Sequence, residues 1–402
     1  MSHKTYTNKI PMAKLAAWVE NAPLDRLDME LTERCNNNCV HCYINRPVND
    51  IDAQNLELPF AKIRQILEEA VCLGCKNVRF TGGEPLLRVD FEDIYLYAKQ
   101  LGLKVEIFTN GTRITPRLAE IFKKSPPGES IQVSLYGENQ KKYEAVSRMP
   151  GSFEAAQRGM ALLSANDVPF VVKAVVLPLT KKAFSDFECW AQKAKELHVP
   201  KPPITTLHLR CREGDGSRNK QIKALRLQPE EQLELEASRS EDYLDDLKNF
   251  CAQFCHVVGD SLFHCGAGIH RASVDAYGKL QLCLLLRHPD TVYDLNTGSL
   301  ANALGNFFPR VRQLKAKNPL YLERCARCFL IALCEQCPAV SWMENRVLDG
   351  WPEHFCRFTH AQARHLGLLE EGEKSWMVAD GEKRVKKLSH STQAVACKPI
   401  AV

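Results

Sequence analysis

Between residue 26 and about residue 209 the chain alternates short apolar, β-rich runs with stretches of helical spacing. That alternation limits the fold more than any other feature. The runs are Leu27–Leu31, Asn77–Thr81, Lys104–Thr109, Ile131–Leu135, Phe170–Leu177 and Thr205–Leu209. Helical spacing lies between them over Phe60–Val71, Phe91–Leu101, Pro116–Lys123, Phe153–Ala165 and Phe184–Leu197. Gly74 and Gly102 follow two of these helices, and Ser152 stands where an N-cap to Phe153 would. Repeated strand–helix units call for a parallel sheet with right-handed crossovers. Six units fall short of an eight-fold barrel. The expected fold is therefore α/β, a partial (β/α)6 barrel with its chemistry at the C-terminal strand ends.

Beyond the barrel region, 25–211, the texture changes. Residues 212–264 read as a linker with an acidic helix from Pro229 to about Phe250, carrying Tyr243, Leu244 and Leu247 on one face. Residues 265–369 are cysteine-rich with few long periodic segments, as expected of a domain organised by metal. Residues 1–24 form an N-terminal extension, and 370–402, with Lys383, Arg384, Lys386 and Lys387, are expected to be a mobile tail. The 17 cysteines are an odd number in a chain of 402 residues, and Met1 to Lys14 has no apolar signal core. A secreted disulfide scaffold is thus a poor fit, and a cytoplasmic metal protein a good one. No apolar run reaches membrane-spanning length, and a net charge of +5 is too diffuse to argue for nucleic acid.

Cys35-Asn-Asn-Asn-Cys39-Val-His-Cys42 directly follows the first expected strand. Three thiolates suit a four-iron cluster with one open iron, whereas structural zinc wants a fourth ligand, from His41 or a distant cysteine. Thr81-Gly82-Gly83-Glu84-Pro85 follows the second strand, where glycines let backbone approach a ligand and Glu84 can meet an ammonium group. Together these motifs resemble the radical S-adenosylmethionine (SAM) superfamily. The resemblance implies a [4Fe–4S] cluster on Cys35, Cys39 and Cys42, with SAM on the open iron and Gly82, Gly83 and Glu84 at its amino group. By the same resemblance Ser134 and Arg148, before Gly151-Ser152-Phe153, would bind the SAM carboxylate. Asn110 would turn at the cofactor mouth, Tyr43 would pack beside a ligand, and Leu177 would touch adenine or simply pack in the core.

A second array runs Cys265, Cys283, Cys325, Cys328, Cys334, Cys337 and Cys356, with Gly278 ahead of Cys283. It resembles the SPASM domain, which implies two auxiliary [4Fe–4S] clusters. Cys325, Cys328, Cys334 and Cys356 would hold one. Cys265, Cys283 and Cys337 would hold most of the other, open or completed by Cys251 or Cys255. The last spacing, two residues where three is usual, weakens the assignment of Cys337, and paired structural zinc sites are the alternative.

The resemblance implies an oxidoreductase that generates a 5′-deoxyadenosyl radical and modifies a ribosomally made peptide or protein. Thioether or carbon–carbon crosslinking is the first choice, with oxidation or epimerisation related to it. No catalytic side chain can be named from the sequence. A flavodoxin- or ferredoxin-type reductant and a separate leader-peptide recognition protein are the expected partners. The alternatives are a small-molecule or cofactor precursor as substrate, a sulfatase-maturating enzyme, and a non-catalytic iron–sulfur or zinc module. Leu284 stands where the sulfatase-maturating group has a catalytic aspartate, which counts against that group.

Overall fold

The computed structural model describes residues 24–178, 204–206, 209–212, 215–238, 243–254, 259–331, 333–334 and 336–391. The helix expected over 184–197 lies outside them. Among the described residues the chain divides into two compact units, one lying within 24–227 and 267–311, the other within 228–266 and 312–391.

In the first unit the six expected strands form: β1 (Arg26–Thr32), β2 (Asn77–Gly82), β3 (Lys104–Thr109), β4 (Ile131–Ser134), β5 (Phe170–Val175) and β6 (Ile204–Thr206). All pair in parallel with their chain neighbours. The crossovers carry α1 (Ile51–Leu56), α2 (Phe60–Cys72), α3 (Phe91–Gln100), α4 (Pro116–Lys124), α5 (Gln140–Ser147) and α6 (Ser152–Ala165), and α7 (Gly216–Ala224) follows β6. Helix α2 shows why these segments are helical. Ile63, Ile66, Leu67 and Ala70 recur at helical spacing and are buried, and Gly74 ends the helix with φ of 87°. Each large side chain so buried contributes about 1.5–3 kcal/mol. Gly151, in the left-handed region, caps α6, and Ser152 is its first residue rather than its cap.

Three further strands of the same sheet were not anticipated. β7 (Arg271–Val274) pairs in parallel with β1, β8 (Lys279–Gln281) runs back against β7, and β9 (Tyr293–Asp294) pairs with β8. The sheet order is β9-β8-β7-β1-β2-β3-β4-β5-β6. The boundary expected at residue 265 is thereby crossed, because main-chain hydrogen bonding to β1 draws 267–311 into the barrel unit.

The second unit holds α8 (Pro229–Ala237), α9 (Tyr243–Phe254), α10 (Pro338–Asn345), α11 (Glu353–His365) and α12 (Gly381–Ser391). The single acidic helix expected from Pro229 is two helices. Tyr243 and Leu247 of α9 pack with Leu330, Leu366 and Val385 of α12. The expected tail is therefore ordered as far as residue 391. Arg384 fixes α12 by pairing with Glu373 and donating to the Leu368 carbonyl at 3.1 Å. Among the described residues no helix is long and apolar enough to cross a membrane.

Candidate active site

At the C-terminal end of β1 the chain opens into the cysteine loop, and the residues after β2 are sewn to it. The Gly83 N–H donates to Thr32 O at 2.7 Å and the Glu84 N–H to Arg34 O at 2.9 Å. Gly82 has φ of 132°, and a Cβ there would strike the Thr32 carbonyl. A Cβ on Gly83 would collide with Arg34 O and lie 2.5 Å from Glu33 O. Both glycines are required by the approach of one backbone to another. The sequence reading reserved them for a ligand and did not reach this reason.

Glu84 is fully buried and accepts from Thr109 Oγ1 at 2.7 Å, Asn110 N at 2.7 Å and Leu86 N at 3.1 Å. Burial pushes its carboxyl up to about 7 against these hydrogen bonds. Three internal donors thus hold the carboxylate assigned above to an ammonium group, and they tie the end of β3 to the end of β2. Asn110 in turn donates to Asn36 Oδ1 at 2.9 Å and to Cys35 Sγ at 3.8 Å.

The back of the loop rests on the end of α5. Asn38 N donates to Ser147 O and Val40 N to Val146 O, both at 2.9 Å. Arg218 of α7 donates to Asn38 Oδ1 at 3.0 Å and to Cys39 O at 2.7 Å, and Arg212 donates to Asn45 O at 2.6 Å. The Cys39 thiol donates to the Tyr136 hydroxyl at 3.7 Å. Burial raises all three thiols, Cys39 up to about 12, and Arg218 opposes the rise at Cys39 and Cys42. Cys35 is raised further by the charges of Glu84, Cys39 and Cys42. Metal binding removes such protons. Three electrostatically coupled thiols on one loop, with guanidinium groups behind it, are a donor set that fits an iron–sulfur centre with three protein ligands.

The other candidates are spread around this end of the sheet. Ser134 ends β4, half-buried and in register with Lys173 of β5. Arg148 is exposed in the left-handed region at the end of α5, with φ of 53°. Tyr43 is half-buried near the charges of Glu30 and Arg287, and its phenol is raised chiefly by burial. Leu177 is fully buried with Val40, Val146, Leu209 and Ile222, which is the packing alternative of its reading. His41 stacks edge-on against Tyr136, and burial lowers its pKa to about 4. Cys75 and Cys211 are buried and Cys72 exposed, while Cys189 and Cys397 lie outside the described residues.

Two charged groups escaped the sequence reading. Arg287, beyond β8, pairs with Glu30 of β1 and with Glu33 at 2.7 Å, and the Tyr277 hydroxyl donates to Glu33 at 3.0 Å. Burial pushes the Glu30 carboxyl up to about 7 even beside that guanidinium. Deeper along the strands, Arg79 pairs with Asp28 at 3.2 Å and with Glu106 at 2.6 Å, and Glu106 also pairs with Arg26 at 2.8 Å. The signal was available. Charges at alternate positions such as Asp28 and Glu30 are unexpected in parallel strands buried on both faces.

Lys173 is the exception in that network. Its Nζ lies 4.1 Å from the Phe108 ring centroid, and it has no ion pair among the described residues. Burial and the Arg79 charge lower its pKa to about 8. The ordinary value is about 10.4, so the charged amine costs stability fully below pH 8 and not at all above the unfolded value. Lys173→Met is therefore expected to stabilise the protein at pH 7 by about 1–3 kcal/mol. The gain should shrink as pH rises from 8 to 10.5. Urea melts at pH 7 and pH 10 check this, and a gain that grows with pH would contradict it.

The second unit holds a separate, partly open cavity whose lining includes Cys325, Cys328, Cys334 and Cys356. The Cys328 sulfur is 3.0 Å from Ser375 Oγ, and Gln336 N donates to Cys334 Sγ at 3.4 Å. Burial pushes the Cys356 thiol up to about 12, with Cys334 adding to the rise and the Arg324 charge opposing it. Four thiols line one cavity, a donor set that suits a four-iron cluster, while among the described residues no group of three or more His, Cys, Asp or Glu is placed to hold a single metal ion. Cys337 instead stands at the N-cap of α10 and packs against Cys334, Val340 and Phe355. Cys251 is fully buried in the helical core, Cys265 belongs to the second unit and Cys283 to the first, and Cys255 lies outside the described residues.

A parallel sheet with a three-thiol loop at the end of its first strand defines a class. Residues 29–188 match the Radical SAM superfamily, so this segment of the chain is a radical SAM domain. Among named proteins, it is 32% identical over 168 residues to the AdoMet-dependent heme synthase of Methanosarcina barkeri, which is 42% of this chain and 46% of that protein. It is 26% identical over 362 residues to the mycofactocin maturase MftC of Mycolicibacterium smegmatis, 82% of each chain. The chain thus spans less than half of the heme synthase it matches and most of the maturase. Its fold is similar to SuiB of Streptococcus suis bound to S-adenosylmethionine. The TM-score is 0.62 and the identity 17%, over 86% of this chain and 80% of that one.

Proposed function

We propose that this protein is a radical SAM peptide maturase with two auxiliary iron–sulfur clusters. The observation that carries the reading is the pairing, in one chain, of a three-thiol loop at the end of β1 with a four-thiol cavity in the other unit. When bound, a reduced [4Fe–4S] cluster with SAM on its open iron supplies a 5′-deoxyadenosyl radical that takes hydrogen from carbon. Cys35, Cys39 and Cys42 hold that cluster. Ser134 and Arg148 take the SAM carboxylate, and Glu84 keeps the ends of β2 and β3 in place around it.

A peptide substrate is favoured by the likeness to a maturase over 82% of both chains. It is favoured too by the likeness of fold to SuiB, which has also been solved with its precursor peptide SuiA. The modification we favour is a crosslink, with an auxiliary cluster accepting the surplus electron. The heme-synthase likeness supports a second reading, a small-molecule substrate such as a porphyrin, but it spans only 46% of that protein. A flavodoxin- or ferredoxin-type reductant, a separate leader-peptide recognition protein and a cytoplasmic location complete the proposal.

The test is anaerobic incubation of reduced, iron-reconstituted protein with SAM, with and without a short peptide encoded beside the gene. Wild type should form 5′-deoxyadenosine and change the mass of the peptide. Cys39→Ala should lose at least about a thousandfold in 5′-deoxyadenosine, because the radical-forming step has no other route. Product that persists in Cys39→Ala would refute the cluster assignment, and turnover of a porphyrin but no peptide would favour the second reading.

A further inference from the structure

Arg324 directly precedes Cys325 and lines the four-cysteine cavity. Its guanidinium carbon lies 4.3 Å from the ring centroid of Trp351 and 5.3 Å from that of Trp376, and both rings also line the cavity. Its Nε is buried with no hydrogen-bond partner, and it makes no ion pair with a carboxylate among the described residues. Arg324 as a whole is half-buried, and a cation partly withdrawn from water is costly unless a negative charge answers it. Two indole faces hold the guanidinium in place and supply part of that answer. Among the described residues no carboxylate supplies the rest, and the Arg324 charge acts on the Cys356 thiol of the cavity.

We infer that Arg324 is a positioning residue that raises the reduction potential of the centre in this cavity by holding a fixed positive charge against it. The inference rests on the reading of Cys325, Cys328, Cys334 and Cys356 as ligands of an iron–sulfur cluster. Such a cluster with four thiolates is an anion that gains a further negative charge on reduction. A nearby cation therefore favours the reduced form, and it does so strongly where water is excluded. Three neighbours act in the same sense. His360 Nε2 accepts from Ser375 N at 3.3 Å, so Nδ1 carries the proton and donates to the Cys356 carbonyl at 2.8 Å, with the Cys356 sulfur 3.6 Å away. Ser375 Oγ lies beside the Cys328 sulfur, and the Lys374 charge also reaches Cys356. Arg324 differs from these in being a permanent charge clamped by two rings. A raised potential suits a centre that accepts an electron rather than one that donates it.

The experiment is an anaerobic redox titration followed by electron paramagnetic resonance, with iron counted in every sample. Cys328→Ala combined with Cys356→Ala identifies which signal belongs to the cavity. Arg324→Gln should keep the iron of wild type and shift that signal to lower potential, while Arg324→Lys should stay close to wild type. If the double cysteine variant loses no iron, the cluster reading itself fails. If it loses about four irons but the Arg324→Gln potential equals that of wild type, only the inference about Arg324 is overturned. Should Arg324→Gln lose the cluster, Arg324→Lys decides. An iron-loaded lysine variant at wild-type potential supports the charge, and an iron-free one would mean that guanidinium packing, not charge, is what the site requires.

Discussion

Gly83→Ala is expected to destabilise the barrel unit by about 2–4 kcal/mol and to strip iron from the first cysteine loop. The added methyl meets no flexible side chain that could swing aside. It meets Arg34 O and Glu33 O, with Arg34 C at 2.7 Å, all of them backbone atoms. Relief requires the 33–34 segment to move, and that segment leads straight into Cys35. It is held there by the Gly83 and Glu84 N–H groups and by the Arg34 side chain, which pairs with Glu57 at 2.8 Å. The loss should therefore appear twice, in the urea midpoint and in the iron retained after anaerobic reconstitution. A variant with wild-type stability and full iron content would show that the segment yields freely and that the glycine is kept for another reason.

Arg287→Met is expected to cost about 1–2 kcal/mol more at pH 8 than at pH 5.5, since it leaves Glu30 buried without its cation and each pH unit above 7 adds about 1.4 kcal/mol to the cost of ionising it. The Glu30 side chain is 1% exposed, and its Oε1 has no hydrogen-bond partner even in the intact pair. Its carboxyl already stands at about 7, above the ordinary 4.5, so folding favours its protonated form. A carboxyl raised in this way lowers stability as pH climbs from the unfolded value to the folded one. Removing Arg287 raises the folded value further. The stability gap between variant and wild type should thus be small near pH 5.5 and widen above pH 7. Adding Glu30→Gln to Arg287→Met should recover much of the loss at pH 8. Equal loss at both pH values would mean that Arg287 acts by packing and not by charge.

The barrel was legible because its signals are local. Apolar runs such as Asn77–Thr81 and the periodicity of Ile63, Ile66 and Leu67 need no knowledge of distant residues, and strands β1 to β5 formed within a residue or two of the expected limits. The β7–β8 hairpin was not legible in the same way. Its runs are only four and three residues long, and it joins the sheet by hydrogen bonding to β1, more than two hundred residues earlier in the chain. The expected tail failed for a similar reason. Lys383, Arg384, Lys386 and Lys387 read as solvated charge, while Val385 between them is 3% exposed against the helical core.

What the sequence alone determined was chemistry carried by short spacing: the Cys35–Cys39–Cys42 loop, the Gly82-Gly83-Glu84 turn and the bunching of Cys325, Cys328 and Cys334. Residues a few positions apart on one loop stay neighbours in any fold, so their spacing carries meaning by itself. Tertiary structure alone decided which groups answer one another across the chain. It put Thr109 and Asn110 on the Glu84 carboxylate, Arg287 on Glu30, and two tryptophans around Arg324. Each of those pairs depends on a desolvation cost that exists only once the chain has closed around it, and no local pattern encodes that cost.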